Sequence, residues 1–184
     1  MKTFTANFKI LTEEDKQTKT SKGKAYFQNG GKLNFTFSEP YGDKIVSDGK
    51  IMWVYVAKLK AVGRQDFKNA GSIFTATGKE GLTALFKRYH YKFDSPEQPR
   101  KTDAGSSYVL ELNEKTASGG FDRILLYVDA DKFLIQKLTA FSPSGRKVEL
   151  SFSDIQINED IASNIFTYKV SGNEKIVENP LTTE

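Results

Sequence analysis

The run from Lys32 to Val62 constrains this chain most. It reads KLNFTFSEP, YGDKIVSDG and KIMWVYVAKLKAV, short stretches rich in β-branched and aromatic residues separated by Pro and Asp-Gly. Such a pattern specifies three or four consecutive short β-strands. Leu33, Phe35 and Phe37 form an apolar stripe that stops at Glu39-Pro40. Lys44 to Ser47 is a short strand turning at Asp48-Gly49. From Ile51 to Val56 both sides are apolar, with Ile51, Trp53 and Tyr55 against Met52, Val54 and Val56. A strand covered on both sides belongs in the middle of a sheet. The product is a broad oily surface with little chemistry on it, suited to holding something greasy.

The same period recurs elsewhere. Thr3 to Leu11 alternates, with Phe4, Ala6, Phe8 and Ile10 on one side. Thr12 to Lys24 is polar and Lys-rich and reads as a hairpin connection with frayed ends. Ala25 to Gln28 is a short strand closed by Asn29-Gly30-Gly31. Strands are also expected around Tyr108 to Leu112, from Phe121 to Val128, from Phe133 to Phe141 and around Val148 to Phe152. Ser95 to Ser106 is a loop, and Asp129-Ala130-Asp131 is a tight turn. Leu150 and Phe152 share a parity that Ile155 and Ile157 do not, which calls for a bulge near Ser153-Asp154. Between Asp66 and Phe93 the spacing of Leu82, Leu85, Phe86 and Tyr89 predicts a short amphipathic helix near Lys79 to Tyr89. The polar tail from Ser171 to Glu184 is expected to be loosely held.

Nine or ten strands in meander order with one helical insertion give a mainly β domain with some α over residues 1–184. The expected form is an antiparallel sheet curled around the insertion at about 66–93, which would act as a helical lid. Periodicity does not separate a packed core from a cavity wall, and in most β domains such stripes are core.

Composition narrows function mainly by exclusion. With no Cys, thiol catalysis and Cys-based structural zinc are ruled out. A net charge of +4 comes from Lys spread over turns and strand surfaces, so no basic block favours nucleic acid. The Lys87 to Tyr91 stretch reads as a solvated helix end. No apolar run reaches the roughly 20 residues of a membrane span. Met1-Lys2 leads straight into strand-like sequence without a signal peptide, as expected of a cytosolic protein or of a processed or trimmed chain.

Catalytic constellations are sparse. His90 is the only His, and it lies between Tyr89 and Tyr91. No Gly-x-x-x-x-Gly-Lys-Ser/Thr phosphate loop occurs. The acidic groups Glu13-Glu14-Asp15, Asp129/Asp131 and Glu159-Asp160 fall in turns, where Asp is favoured for local hydrogen bonding, and they are too few for a calcium loop. The chain therefore reads as a non-enzyme without metal or cofactor.

Specific motifs support a family resemblance. TFTANFKI, then LNFTFSEP, then IVSDGKIMWVYVAKLKAV, containing Ser47-Asp48-Gly49 and Met52-Trp53-Val54-Tyr55, resemble the LolA family of periplasmic lipoprotein carriers. The ending LSFSDIQINEDIASNIFTYKV agrees, through Asn158, Ile161, Phe166 and Tyr168. The chain departs from the family pattern in two places. No amphipathic helix precedes the first strand, as expected of a chain that has lost an N-terminal piece. Asn29-Gly30-Gly31-Lys32 stands where classical members carry an Arg that helps close the lid, and Lys32 lacks an Arg's planar fork.

The resemblance implies a half-open β-barrel with helices capping a hydrophobic cavity. It also implies a monomeric periplasmic carrier that takes the acyl chains of lipoproteins from an inner-membrane ABC exporter toward the outer membrane, with a possible acceptor there. Leu33, Phe35 and Phe37, with Phe8 beside them, are the expected cavity wall, and Trp53 and Tyr55 are further candidates. Leu82, Leu85 and Phe86 are the expected apolar side of the lid. The alternatives are a carrier of another lipid, an outer-membrane acceptor of the same fold, or a structural β domain with a solid core.

Overall fold

The structure is a computed structural model that describes residues 1–67, 73–76, 78–118 and 120–178. In chain order its elements are β1 (Thr3–Glu14), β2 (Gln17–Gln28), β3 (Lys32–Glu39), β4 (Tyr41–Asp48), β5 (Ile51–Val56), β6 (Ala61–Asp66), α1 (Lys79–Arg88), β7 (Tyr89–Phe93), β8 (Arg100–Thr102), β9 (Gly105–Glu114), β10 (Arg123–Asp129), β11 (Ile135–Phe141), β12 (Lys147–Ile157) and β13 (Lys175–Glu178). The hydrogen-bonding order is β13-β6-β5-β4-β3-β2-β1-β12-β11-β10-β9-β7, with β8 also on β9. The protein is mainly β, and α1 is the single α-helix among the described residues.

Several expectations about the strands need correction: Ser95 to Ser106, expected as a loop, holds β8 and the start of β9, and Lys87 to Tyr91, expected as a solvated helix end, holds the start of β7 at buried Tyr89. The sheet has thirteen strands rather than nine or ten. Thr12 to Lys24 is not a frayed connection: β1 runs to Glu14 and β2 starts at Gln17. Asp15 and Lys16 turn between them at φ +49° and +62°. Positive φ at both central residues is the twist-matched hairpin turn, here made without the usual Asn-Gly or Asp-Gly. In the tail, Lys175–Glu178 is a strand lying parallel to β6, and residues 179–184 are outside the described set. Residues 68–72 and 77 of the 66–93 insertion are outside it as well. The parity break expected near Ser153-Asp154 falls at Asp154, whose φ is +51°.

By contacts the chain divides into two compact units, each assembled from separate segments. The first takes Met1–Asn7, Ser21–Ala84 and Asp154–Glu184. In it the strand registers place Phe27, Leu33, Ser47, Met52 and Gln65 in one row, and Ala25, Phe35, Ile45, Val54 and Gly63 in the next. Leu33, Phe35, Ile45 and Met52 on this face are buried.

The second unit takes Phe8–Thr20 and Leu85–Ser153. One face of its strands carries the rows Leu112, Ile124, Ala140, Val148 and Leu110, Leu126, Leu138, Leu150. Seven of these eight are buried, Leu110 only partly, and together they form this unit's core. Its opposite face carries Glu111, Leu125, Thr139, Glu149 and Val109, Tyr127, Lys137, Ser151. Alternation therefore separates a wholly apolar side from a mixed one that holds the charged residues together with Val109, Leu125 and Tyr127.

Candidate functional site

The site begins with Phe35 on β3. Its ring is 0% exposed and is met edge-on by Phe27 at 5.5 Å and by Phe74 at 5.2 Å. Phe27 in turn meets Phe4 at 5.4 Å. Edge-to-face contact of this kind suits the ring quadrupoles and adds about 0.5–1.5 kcal/mol per pair to the burial itself. Leu33 lies one row away at 1% exposure, so the face is apolar around Phe35, while buried Ser47 and Gln65 interrupt the Leu33 row. Phe74 reaches the wall from a short 3-10 turn, Ile73–Thr75, just before α1.

Two contacts hold the start of α1 over this region. A Cβ at Gly81 would come within 1.8 Å of the Thr75 carbonyl oxygen, so only Gly permits that approach. The Glu80 carboxylate accepts the Gly30 N–H at 3.1 Å. Gly30 belongs to the β2–β3 turn, where the family pattern has its Arg; here an acid on the helix reaches a backbone donor on the turn.

Ser47-Asp48-Gly49, one of the motifs of the family pattern, has a structural explanation. Asp48 Oδ1 accepts the N–H groups of Lys50 at 2.8 Å and Ile51 at 2.9 Å, and Ser47 Oγ accepts that of Gly49 at 3.0 Å. Burial works to raise the Asp48 pKa, but those backbone donors outweigh it and hold the carboxyl below its ordinary value. Gly49 has φ +92°, and a Cβ there would stand 1.9 Å from the Gly30 carbonyl oxygen. The motif locks two neighbouring turns together.

Trp53 and Tyr55 lie on the other face. The registers align Trp53 with Val46 and Asn34, and Tyr55 with Lys44 and Thr36. The chain after β12 covers them: Tyr168 stacks on Trp53 at 5.8 Å and meets Tyr55 at 6.0 Å. The Tyr168 hydroxyl donates to Glu174 at 2.9 Å, and Asn34 Nδ2 donates to the Ile165 carbonyl at 2.6 Å. Burial, then Glu174, push the Tyr168 pKa well up. Beside this cover, Thr5, Tyr26, Asn34 and Glu159 line a cleft of about 320 Å³ together with Ile161 and Ile165.

The sequence-derived site residues are thus only partly brought together. Leu33 and Phe35 share a wall, while half-buried Phe37 lies where the β2–β3 register slips. Leu82 is half-buried in the first unit. Phe8, Leu85 and Phe86 belong to the second, where Phe8 and Leu85 are buried and Phe86 packs on Tyr91 at 4.7 Å. Phe4, Phe27, Ile45, Met52 and Phe74 belong to the wall although sequence reasoning did not select them. Alternation in β2 and β5 could have found Phe27 and Met52; nothing in the sequence points to Phe74.

Exposed His90 pairs across the sheet with Asn113. Among the described residues no three His, Cys, Asp or Glu side chains converge as a metal site would require. In the second unit the charged groups pair with one another. Lys137 meets Glu149 at 2.5 Å and Asp103 at 2.6 Å, and Lys147 meets Glu149 at 3.0 Å. Burial raises the Glu149 pKa, but Lys137 and Lys147 outweigh it and hold the carboxyl below its ordinary value.

The first unit thus presents a buried apolar face on a mainly β scaffold, met by Phe74 from the turn that leads into α1. Residues 1–169 match the model of the family described as outer membrane lipoprotein carrier protein LolA, and the chain belongs to that family. An outer-membrane lipoprotein carrier protein from Legionella pneumophila (strain Corby) is 25% identical over 170 residues, covering 92% of this chain and 80% of its own. The protein of the same name from Methylococcus capsulatus is 23% identical over 158 residues, covering 86% and 72%. Among solved structures, an uncharacterized conserved protein from Thermus thermophilus shares the fold at TM-score 0.60 and 11% identity, covering 96% of this chain and 90% of that one.

Proposed function

We propose that the chain is a non-enzymatic periplasmic carrier. It binds the acyl chains of lipoproteins against the Leu33–Phe35 wall and moves them from an inner-membrane ABC exporter toward the outer membrane. The observation that carries this reading is the Phe74 ring on Phe35. Phe74 is a removable apolar cover, supplied by the segment that leads into α1 and tied down by Glu80 on Gly30. An acyl chain takes the place of Phe74 on the wall and gains about 0.8 kcal/mol per buried CH₂. Leu82 is the helix residue of that cover, and α1 is its lid. Release needs only a receiving site that binds the chain at least as well; no nucleotide acts on the carrier.

Titration with a fluorescent fatty-acid probe tests the proposal. Wild-type protein binds the probe and yields it to a triacylated peptide. Phe35→Tyr places a hydroxyl in the wall without its partner, which should cost about 1–3 kcal/mol of stability and weaken the probe wherever its chain lies against that hydroxyl. Failure of folded wild-type protein to bind the probe would reject the carrier reading.

A further inference from the structure

One end of the first unit carries exposed apolar side chains that neither the Phe35 wall nor its cover uses. There β4 begins at Tyr41, β5 ends at Val56, β6 begins at Ala61 and β13 begins at Lys175. The registers bring these strand ends together: Lys44 faces Tyr55, and Val56 and Lys175 both face Ala61. Between β5 and β6 the chain makes a 3-10 turn, Ala57–Leu59, followed by Lys60 at φ +48°. The Ala57 N–H donates to Asp43 Oδ1 at 2.8 Å, and the Lys175 N–H donates to the Lys60 carbonyl at 2.9 Å. A Cβ at Gly42 would stand 3.1 Å from that of Ala57. The residue after Tyr41 thus touches the residue before Lys58, and the turn lies against the starts of both β4 and β13.

Tyr41 is 90% exposed and Leu59 69%. Lys44, Lys58, Lys60 and Lys175 are exposed around them, and among the described residues none of these four ammonium groups has a carboxylate partner. The acids of this end are engaged already: Asp43 by the Ala57 N–H, Glu39 by Lys22 at 2.7 Å, and Glu174 by the Tyr168 hydroxyl. Exposed apolar residues scattered singly are ordinary. A Tyr and a Leu on adjoining turns among four unpaired cations are a different pattern, because the two kinds of side chain ask for different surroundings. Leu59 gains only from an apolar medium, Tyr suits the boundary between such a medium and water, and the lysines gain from negative charge. Nucleic acid supplies the charge but nothing apolar for Leu59. An anionic bilayer supplies both, with lysine stems lying along the boundary and ammonium groups in the headgroup layer.

We infer that this end of the first unit docks on the surface of an anionic phospholipid bilayer. Leu59 and the Tyr41 ring enter the headgroup boundary, and the lysines stand at its phosphates. Docking of this kind does not require the acyl-binding wall.

Co-sedimentation of the full chain with phosphatidylcholine vesicles, with and without phosphatidylglycerol, tests the site. Wild-type protein pellets only with vesicles that contain phosphatidylglycerol, and added salt weakens it. Lys58→Gln and Lys60→Gln each weaken binding roughly fivefold, and Leu59→Ser roughly tenfold. Melting temperature is unchanged, because all three side chains are exposed. Affinity for the fluorescent fatty-acid probe also stays as in wild type, which separates docking from acyl capture. In Leu59→Trp, the new indole's emission moves to the blue on phosphatidylglycerol vesicles. No sedimentation, equal sedimentation with pure phosphatidylcholine, or full binding by the folded variants overturns the site. Loss in the lysine variants alone, with a Leu59→Trp emission that stays put, reassigns the lysines to a soluble polyanion and overturns bilayer docking. If a variant unfolds, the wild-type comparison of the two vesicle types decides alone.

Discussion

The two units use the same alternation of residues to opposite ends. In the first, both faces of the sheet carry aromatic contacts, Phe74 on Phe35 of β3 and Tyr168 on Trp53 of β5. In the second, one face is an oily core, while the other mixes apolar residues such as buried Val109 with an ion-pair cluster at Lys137, whose side chain is 11% exposed. The lesson is that a strand's composition tells how many of its sides are covered, but not by what.

Substitutions that separate the two kinds of surface test this contrast. The largest loss is expected at the walls themselves: Phe35→Ala in the first unit and Leu126→Ala in the second should each cost about 2–5 kcal/mol in chemical denaturation. If acyl chains bind the Phe35 wall, only Phe35→Ala should also lose the fatty-acid probe. Equal loss in both variants would erase the distinction.

Next in size is the ion-pair cluster. Glu149→Gln leaves Lys137 with only Asp103 and should cost about 1–3 kcal/mol, less than full burial would imply because the cluster is partly wet. Its pH signature has a definite sign. The folded Glu149 pKa lies below its ordinary value of 4.5, so its stabilisation is complete above that value and disappears as pH falls through the lower folded one. Lys137 is displaced upward from 10.5: burial opposes its charge, but Asp103 and Glu149 outweigh burial. Its contribution is complete below 10.5 and is lost as pH rises through the folded value. Thermal melts should be flat between these limits, and Glu149→Gln should lose less stability in acid than wild type.

Smaller effects belong to the covers. Tyr168→Phe removes the hydroxyl that donates to Glu174 and should cost about 1 kcal/mol without altering probe affinity, because Trp53 and Tyr55 lie on the face away from Phe35. Glu80→Gln weakens the tie to Gly30 and should cost at most about 1 kcal/mol of stability. Stopped-flow mixing should nonetheless show faster probe entry if that tie closes the lid.

Much of the fold was legible because period 2 is an unambiguous signal. The apolar wall of β3, the turns at Asn29-Gly30-Gly31 and Asp48-Gly49, α1 and the parity break at Asp154 all follow from spacing and turn chemistry. The hairpin at Asp15-Lys16 was hidden because neither residue is Gly, although both adopt positive φ. Lys175–Glu178 was hidden because its four residues are exposed and its parallel partner is far away in sequence. The site was less legible than the fold. Trp53 and Tyr55 look like wall residues, yet the odd positions of β5 turn away from Leu33 and Phe35, and only register reveals it. Phe74 comes from a turn with no periodicity.

Native mass spectrometry of the protein purified from a membrane-containing extract tests the central claim most directly. The account predicts co-purifying acylated species on wild-type protein, and their loss from folded Phe35→Tyr. Wild-type protein that emerges with no acyl species, and stays empty when offered a triacylated peptide, would contradict it.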